Sequence, residues 1–253
     1  MLSADDRAQV LDEPFRAPPP PKPPIDPKTL VLPENASLFT RLHMATRILK
    51  VIPGNEGNPD YGQTLNICLD LNVYATLVQR LQRSEDGRRM LSERPSLEAK
   101  DLDLNALERL PEGTLGREYA RYYRDNKIFP FETTLKIKND IDYIGKRYRE
   151  THDVLHLLTG YATDVVGEME LQAYVLGNLG IHTARLILTM GTLGQLKQPQ
   201  SGVARSEYLR RVWAAYHRGR ASKLFLDFWF EHHWETPVAT LRERLCARVE
   251  PLH

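Results

Sequence analysis

From Ser37 to the end of the chain apolar residues recur at helical spacing, and no stretch alternates β-branched with polar residues. Between two of the apolar runs, Gly160 followed by Thr163 and Asp164 reads as a helix stop and a new helix start. These observations predict an all-α fold, with one multi-helix domain over residues 36–253 and a Pro-rich arm over residues 1–35. At 253 residues the chain is long enough to bury about 70% of its unfolded surface in a single core.

The arm comes first. Prolines cluster from Pro14 to Pro33, with Pro18 to Pro21 uninterrupted, which favours extended polyproline II and excludes helix. A disordered or wrapping segment is expected there. In the domain, Leu42, Ala45, Ile48 and Leu49 mark one helix, and Leu65, Cys68, Leu71, Ala75 and Val78 mark the next. Shorter helices are expected over 101–110 and 115–126, the second N-capped by Thr114 after the Pro111-Glu112-Gly113 turn. Further helices fall near 139–159, 165–180, 181–197, 205–218 and 221–247. Leu171 to Leu193 has the length of a membrane span, but His182 and Arg185 are costly inside one, and Gly177, Gly180, Gly191 and Gly194 interrupt the run. Two buried or interfacial helices are expected instead. Their glycines either let backbones approach closely or leave room for a slender guest.

Composition excludes several functions. The 34 basic and 33 acidic residues leave a net charge of +1, which offers no bulk field for nucleic acid. Cys68 and Cys246 lie far apart in apolar helical contexts, so neither a disulfide nor cysteine catalysis is inferred, and a reducing compartment is the default. The first residues carry Asp5 and Asp6 and match neither a secretory signal nor a transit peptide.

The chemistry is concentrated in His152-Asp153-Val154-Leu155-His156, with Glu168 following after eleven intervening residues. On a helix stepping by about 100° per residue, His156 lies about 40° and Asp153 about 100° from His152, so three ligand-type side chains share one face. A helix beginning after Asp164 would carry Glu168 back toward them. Val154, Leu155, Leu157 and Leu158 make the surroundings apolar, where unpaired His and Asp would cost a few kcal/mol. A bound divalent cation removes that conflict. Two imidazoles with carboxylates suit zinc first, and two imidazoles with one carboxylate also suit iron(II). Asp153 is one methylene shorter than the glutamate of His-Glu-x-x-His proteases, which argues against peptide hydrolysis.

Three neighbours need placing. Arg149 sits about 60° from His152, within the ligand arc, where it would hold a substrate carboxylate, orient Asp153, or simply pair with Glu150 or Asp153. Glu170, two residues past Glu168, faces the other side of its helix as a surface or supporting acid. Glu231-His232-His233 with Glu235 could suggest a second metal site, but Phe228, Trp229, Phe230 and Trp234 make that stretch an aromatic packing helix.

His-Asp-x-x-His, eleven residues and Glu resemble the signature of the coenzyme Q biosynthesis protein 4 family. Glu93-Arg94-Pro95, Leu110-Pro111-Glu112-Gly113-Thr114-Leu115-Gly116-Arg117-Glu118-Tyr119, Arg147-Tyr148-Arg149-Glu150, Trp234-Glu235 and Leu241-Arg242-Glu243 are similar to further family segments, in matching order over roughly residues 38–247. The resemblance implies an all-α fold and removal of the ring C1 carboxylate from a polyprenyl-benzoate precursor of ubiquinone, coupled or not to hydroxylation, as in a carbon–carbon lyase. It implies a metal held by His152, Asp153, His156 and Glu168, and the candidate catalytic residues are Glu168 and, from its place on the ligand arc, Arg149. It also implies a prenyl channel bordered by Leu171, Leu176, Gly177, Gly180 and Leu186, and work at a membrane surface beside other quinone-biosynthesis proteins. An exposed apolar surface would equally serve a homodimer. The absence of a transit pattern departs from mitochondrial members and suggests a bacterial cytoplasmic protein on the inner face of a membrane. A prenyl-lipid-binding scaffold with a structural metal is the alternative to an enzyme.

Overall fold

The computed structural model describes residues 32, 36–52, 59–199 and 202–246. The Pro-rich arm, apart from Leu32 and the residues next to Ser37, lies outside these. Ten α-helices follow one another and, among the described residues, there is no strand: α1 (Leu38–Val51), α2 (Pro59–Leu81), α3 (Glu85–Glu93), α4 (Leu104–Glu108), α5 (Leu115–Asn126), α6 (Asp140–Thr159), α7 (Val165–Leu179), α8 (His182–Lys197), α9 (Arg205–Ala221) and α10 (Val238–Leu245).

Local chemistry accounts for most boundaries. Asn139 accepts from the Asp142 amide at 2.9 Å to start α6, whose first turn carries Asp140 and Asp142 against the positive helix end. Gly160, at φ 79°, ends it in the left-handed conformation that a side chain disfavours. Asp164 then accepts from the Gly167 amide at 2.8 Å and starts α7, as the sequence predicts. Thr114 occupies the N-cap position of α5, but its hydroxyl donates to the Pro111 carbonyl at 2.6 Å and does not cap the helix. The apolar 171–193 run divides at Gly180 into α7 and α8, and no described helix is long and apolar enough to cross a membrane.

One expected helix is absent. Residues 222–237 run irregularly, with a single 3-10 turn at Phe230–His232, before α10. Leu224, Phe225, Leu226, Phe228 and Phe230 are all buried, whereas a helix against the core buries only one face. The extended path also lets Gly116 and Leu115 at the start of α5 donate to the carbonyls of Trp234 and Thr236, at 2.8 and 2.9 Å. Tertiary pairing takes the place of helical hydrogen bonds there. The main core is built from α2, α5, α6, α7 and this segment, with Tyr74, Tyr119, Tyr143, Phe225 and Phe230 nearly inaccessible within it. α7 lies between α6 on one side and α8 and α9 on the other.

Candidate metal centre

One helical turn along α6 separates His152 from His156, whose rings meet edge to face at 5.0 Å. The return of the chain at Gly160 sets the first turn of α7 beside them. Glu168 then reaches both rings, with Oε1 at 3.1 Å from His156 Nε2 and Oε2 at 3.5 Å from His152 Nε2. Each of the three residues offers a ligand atom, and these atoms all lie within 4.8 Å of one another. No other such group of three or more occurs among the described residues. The His156 side chain is 2% exposed, and that of Glu168 34%, so the cluster is closed beneath and open above.

His156 carries the sharpest signal. Its Nδ1 lies 3.0 Å from the Tyr161 carbonyl, which can only accept, so Nδ1 bears the proton. In the neutral ring Nε2 is then a bare lone pair, buried without a hydrogen-bond partner and facing a carboxylate. Two electron-pair donors face each other, which requires a proton or a cation between them. Burial works to lower the His156 pKa, but Glu168 and the Tyr161 carbonyl outweigh it and raise it. Burial likewise opposes ionisation of Glu168, yet His152 and His156 hold its pKa down at about 2.

Asp153 is placed differently from its neighbours. Its Oδ2 accepts from the Tyr123 hydroxyl at 2.5 Å, and Tyr123 lies 3.0 Å from Tyr119, so the carboxylate ends a tyrosine relay rather than joining the three-residue cluster. Tyr122 stacks on the His156 ring at 5.9 Å. These three tyrosines wall the centre and were not singled out from the sequence. Their spacing at 119, 122 and 123 on α5 was the available signal.

Arg149 makes neither expected salt bridge. Glu150 is taken by Lys146 and by Ser96, whose hydroxyl is 2.9 Å away, while the Arg149 guanidinium lies 5.5 Å over the Phe131 ring with its Nε buried and unpartnered. Glu170 is not a surface acid. It is buried against Arg211, 3.0 Å from Arg211 Nε. Glu231 pairs with Arg147, and His232 and His233 stack on Trp229 and Phe228, so this stretch packs and gathers no ligands.

The residues expected to border a prenyl channel fall in several environments. Leu171 is core, Leu176 and Leu186 are half-buried, Gly180 caps α7 at φ 74°, and Gly177 lies against α9, where a Cβ would fall 2.1 Å from the Tyr216 carbonyl. Gly177 provides close helix approach and Gly180 the left-handed cap, while an opening lies one layer out. A groove of about 1040 Å³ runs between α8 and α9, lined among others by Leu188, Leu193, Leu209, Trp213 and Tyr216. Leu188 and Val212 of this groove pack with Met169, the residue after Glu168, so groove and centre share the first turns of α7.

The buried thiols stand outside this chemistry, since burial pushes Cys68 up to about 12 and both cysteines are free.

Comparison with known proteins bears on the family of the chain. Residues 62–251 match the family described as coenzyme Q (ubiquinone) biosynthesis protein Coq4. The rat mitochondrial ubiquinone biosynthesis protein COQ4 homolog is 33% identical over 180 residues, 70% of this chain and 66% of that protein. The zebrafish counterpart is 32% identical over 205 residues, 77% of this chain and 73% of its own. The chain thus spans just under two thirds of the length of the rat relative. A crystal structure from Nostoc punctiforme, described as a candidate ubiquinone biosynthesis protein, superposes with a TM-score of 0.65 at 27% identity, covering 81% of this chain and 95% of that one. With its family segment matched over most of its length and the His152, His156 and Glu168 side chains converging, the chain belongs to the coenzyme Q (ubiquinone) biosynthesis protein Coq4 family.

Proposed function

We propose that this protein removes the ring C1 carboxylate of a polyprenyl-benzoate precursor at a divalent metal centre held by His152, His156 and Glu168. The observation that carries the reading is the buried Nε2 lone pair of His156 facing the Glu168 carboxylate. Two imidazoles and one carboxylate fit zinc, or iron(II) if the step is coupled to hydroxylation. A metal-ligating histidine commonly donates its other ring proton to a carbonyl, as His156 does to Tyr161. A cation there would supply positive charge against the negative charge left on the ring as the C1–carboxylate bond breaks and CO2 departs, a proton from water then taking its place at C1.

The chain's own residues divide the rest of the work. Arg149, with an unpartnered buried Nε on the same helix as the histidines, binds the ring carboxylate through its planar fork. Tyr123 donates a hydrogen bond from its hydroxyl to Asp153 and orients that carboxylate as a supporting acid, not one of the three ligands. The α8–α9 groove takes the prenyl tail, its largely apolar lining excluding water from the tail.

The test is made in cells lacking their own family member. Arg149→Lys and Glu168→Gln are expected to abolish mature quinone and accumulate a prenylated precursor still bearing the C1 carboxylate, at normal protein level. If both variants restore full quinone synthesis, the centre is structural and the protein is a lipid-binding scaffold for other quinone-biosynthesis proteins.

A further inference from the structure

One turn from the metal centre, α6 and α7 bring together a second set of polar side chains. Tyr148 stands four residues before His152 on α6, and Gln172 stands four residues beyond Glu168 on α7. α6 runs toward Gly160 and α7 runs back from it, so both lie about 6 Å from the ligand side chains in the same direction along their axes. The two residues meet, and both are buried, Tyr148 at 3% and Gln172 at 6% exposed. Burial pushes the Tyr148 phenol up, Arg149 pulls it down, Asp70 and Glu168 push it up, and a hydrogen bond with Gln172 pulls it down. A bond that favours the phenolate is one the phenol oxygen accepts, so the Gln172 amide nitrogen is the donor. The amide oxygen is left over. Gln172 Oε1 is buried without a hydrogen-bond partner, and so is Nε of Arg149, the residue after Tyr148. Leu171 and Ala173, on either side of Gln172, belong to the inaccessible core, where an unmet acceptor is costly.

These two atoms select by chemistry. Nε of an arginine can only donate, and an amide oxygen can only accept. A group that satisfies both must turn an acceptor to Arg149 and a proton to Gln172, and a benzoate bearing a ring hydroxyl offers the two together. A prenyl tail offers neither. We propose that Gln172 Oε1 accepts the proton of a ring hydroxyl on the polyprenyl-benzoate precursor, and that this contact selects the free phenol over its methyl ether. The proposal rests on the proposed function for the class of substrate and adds the residue that reads the ring. Methylation removes the only proton of that hydroxyl and sets a methyl group against a buried polar atom, so the ether loses the bond and leaves Oε1 desolvated. Gln172 is not one of the three clustered ligand residues, which separates its role from metal binding.

Equilibrium binding to the metal-loaded full chain tests this, with a prenylated para-hydroxybenzoate and its para-methoxy counterpart as probes. The parent is expected to bind the hydroxy compound about tenfold or more tighter than the ether. Gln172→Met, which keeps the length of the side chain and removes the acceptor, should weaken the hydroxy compound to the level of the ether and leave the ether unchanged. Arg149→Lys should weaken both compounds alike and keep the parent's ratio, since both carry the carboxylate. Metal content should match the parent's in each variant. A Gln172→Met chain that does not fold leaves the parent's own ratio as the measure. Equal affinity of the parent for the two compounds means that water or the protein satisfies Oε1, and overturns the proposal while the substrate class stands. A preference that Gln172→Met retains in full overturns it as well. A parent that binds neither compound removes the polyprenyl-benzoate reading itself, and the proposal with it.

Discussion

α7 meets two of its neighbours, α9 and α6, in opposite ways. Against α9 the backbones touch through glycine on both sides: a Cβ on Gly177 would fall 2.1 Å from the Tyr216 carbonyl, and one on Gly219 would fall 2.0 Å from that of Tyr174. Asn178 reinforces the contact by donating to the Gly219 and Lys223 carbonyls at 3.1 and 2.9 Å. Against α6 the same helix presents Glu168 to two imidazoles, and buried ring nitrogens of both histidines lack a hydrogen-bond partner. The first junction is held by backbone approach and by the Asn178 amide nitrogen, while Asn178 Oδ1 stays buried without a partner. At the second, three ligand atoms converge where a proton or a cation is called for, so a convergence of ligand atoms, more than one unmatched polar atom, marks a candidate functional junction.

The largest effect expected on this contrast is at the glycine junction. Gly177→Val or Gly219→Val must push backbone from backbone, since the obstacle is a carbonyl and not a flexible side chain. A loss of about 3 kcal/mol or more is expected in chemical denaturation, and a variant as stable as the parent would show that α7 and α9 do not pack this closely.

Next comes the metal junction. His156→Ala should leave helical content in place and abolish stoichiometric metal in elemental analysis, from about one divalent ion per chain in the parent. Full occupancy in that variant would place the metal elsewhere.

A smaller effect belongs to Arg149, which keeps its charge as lysine but loses the fork. Purified Arg149→Lys is expected to retain metal and melting temperature while turnover of a C1-carboxylated precursor falls by about 10- to 100-fold. Unchanged turnover would remove Arg149 from the chemistry.

The smallest effect is one of pH. In chelated protein the raised His156 pKa contributes stability that is fully present below the ordinary histidine value and is lost as pH rises through its folded value. Glu168, held at about 2, contributes stability that is present above the ordinary carboxylate range and is lost as pH falls through about 2. The chelated junction is therefore most stable in the mildly acidic range between those limits. Metal binding reverses the upper limb, because protons compete for the imidazoles. Melting temperatures with and without metal should diverge as pH rises from about 6 to about 8. A gap that stays constant would mean the histidines do not bind the ion.

The amino-acid sequence by itself determined what depends on neighbours within a turn or two. The start of α6 at Asn139, its stop at Gly160, the restart at Asp164, and the placing of His152 and His156 on one face all follow from capping and from 3.6 residues per turn. The division of the apolar 171–193 run at Gly180 was legible for the same reason. Only the tertiary structure decided which distant groups meet. Asp153 lies on the ligand arc by spacing, yet Tyr123 thirty residues upstream claims it. Glu170 is turned inward by Arg211, forty-one residues away, and residues 222–237 give up helix because the start of α5 and the core use their backbone and every aromatic side chain better in an extended path. Those outcomes are set by how helices cross and which partners that crossing delivers, and a local pattern carries no record of it.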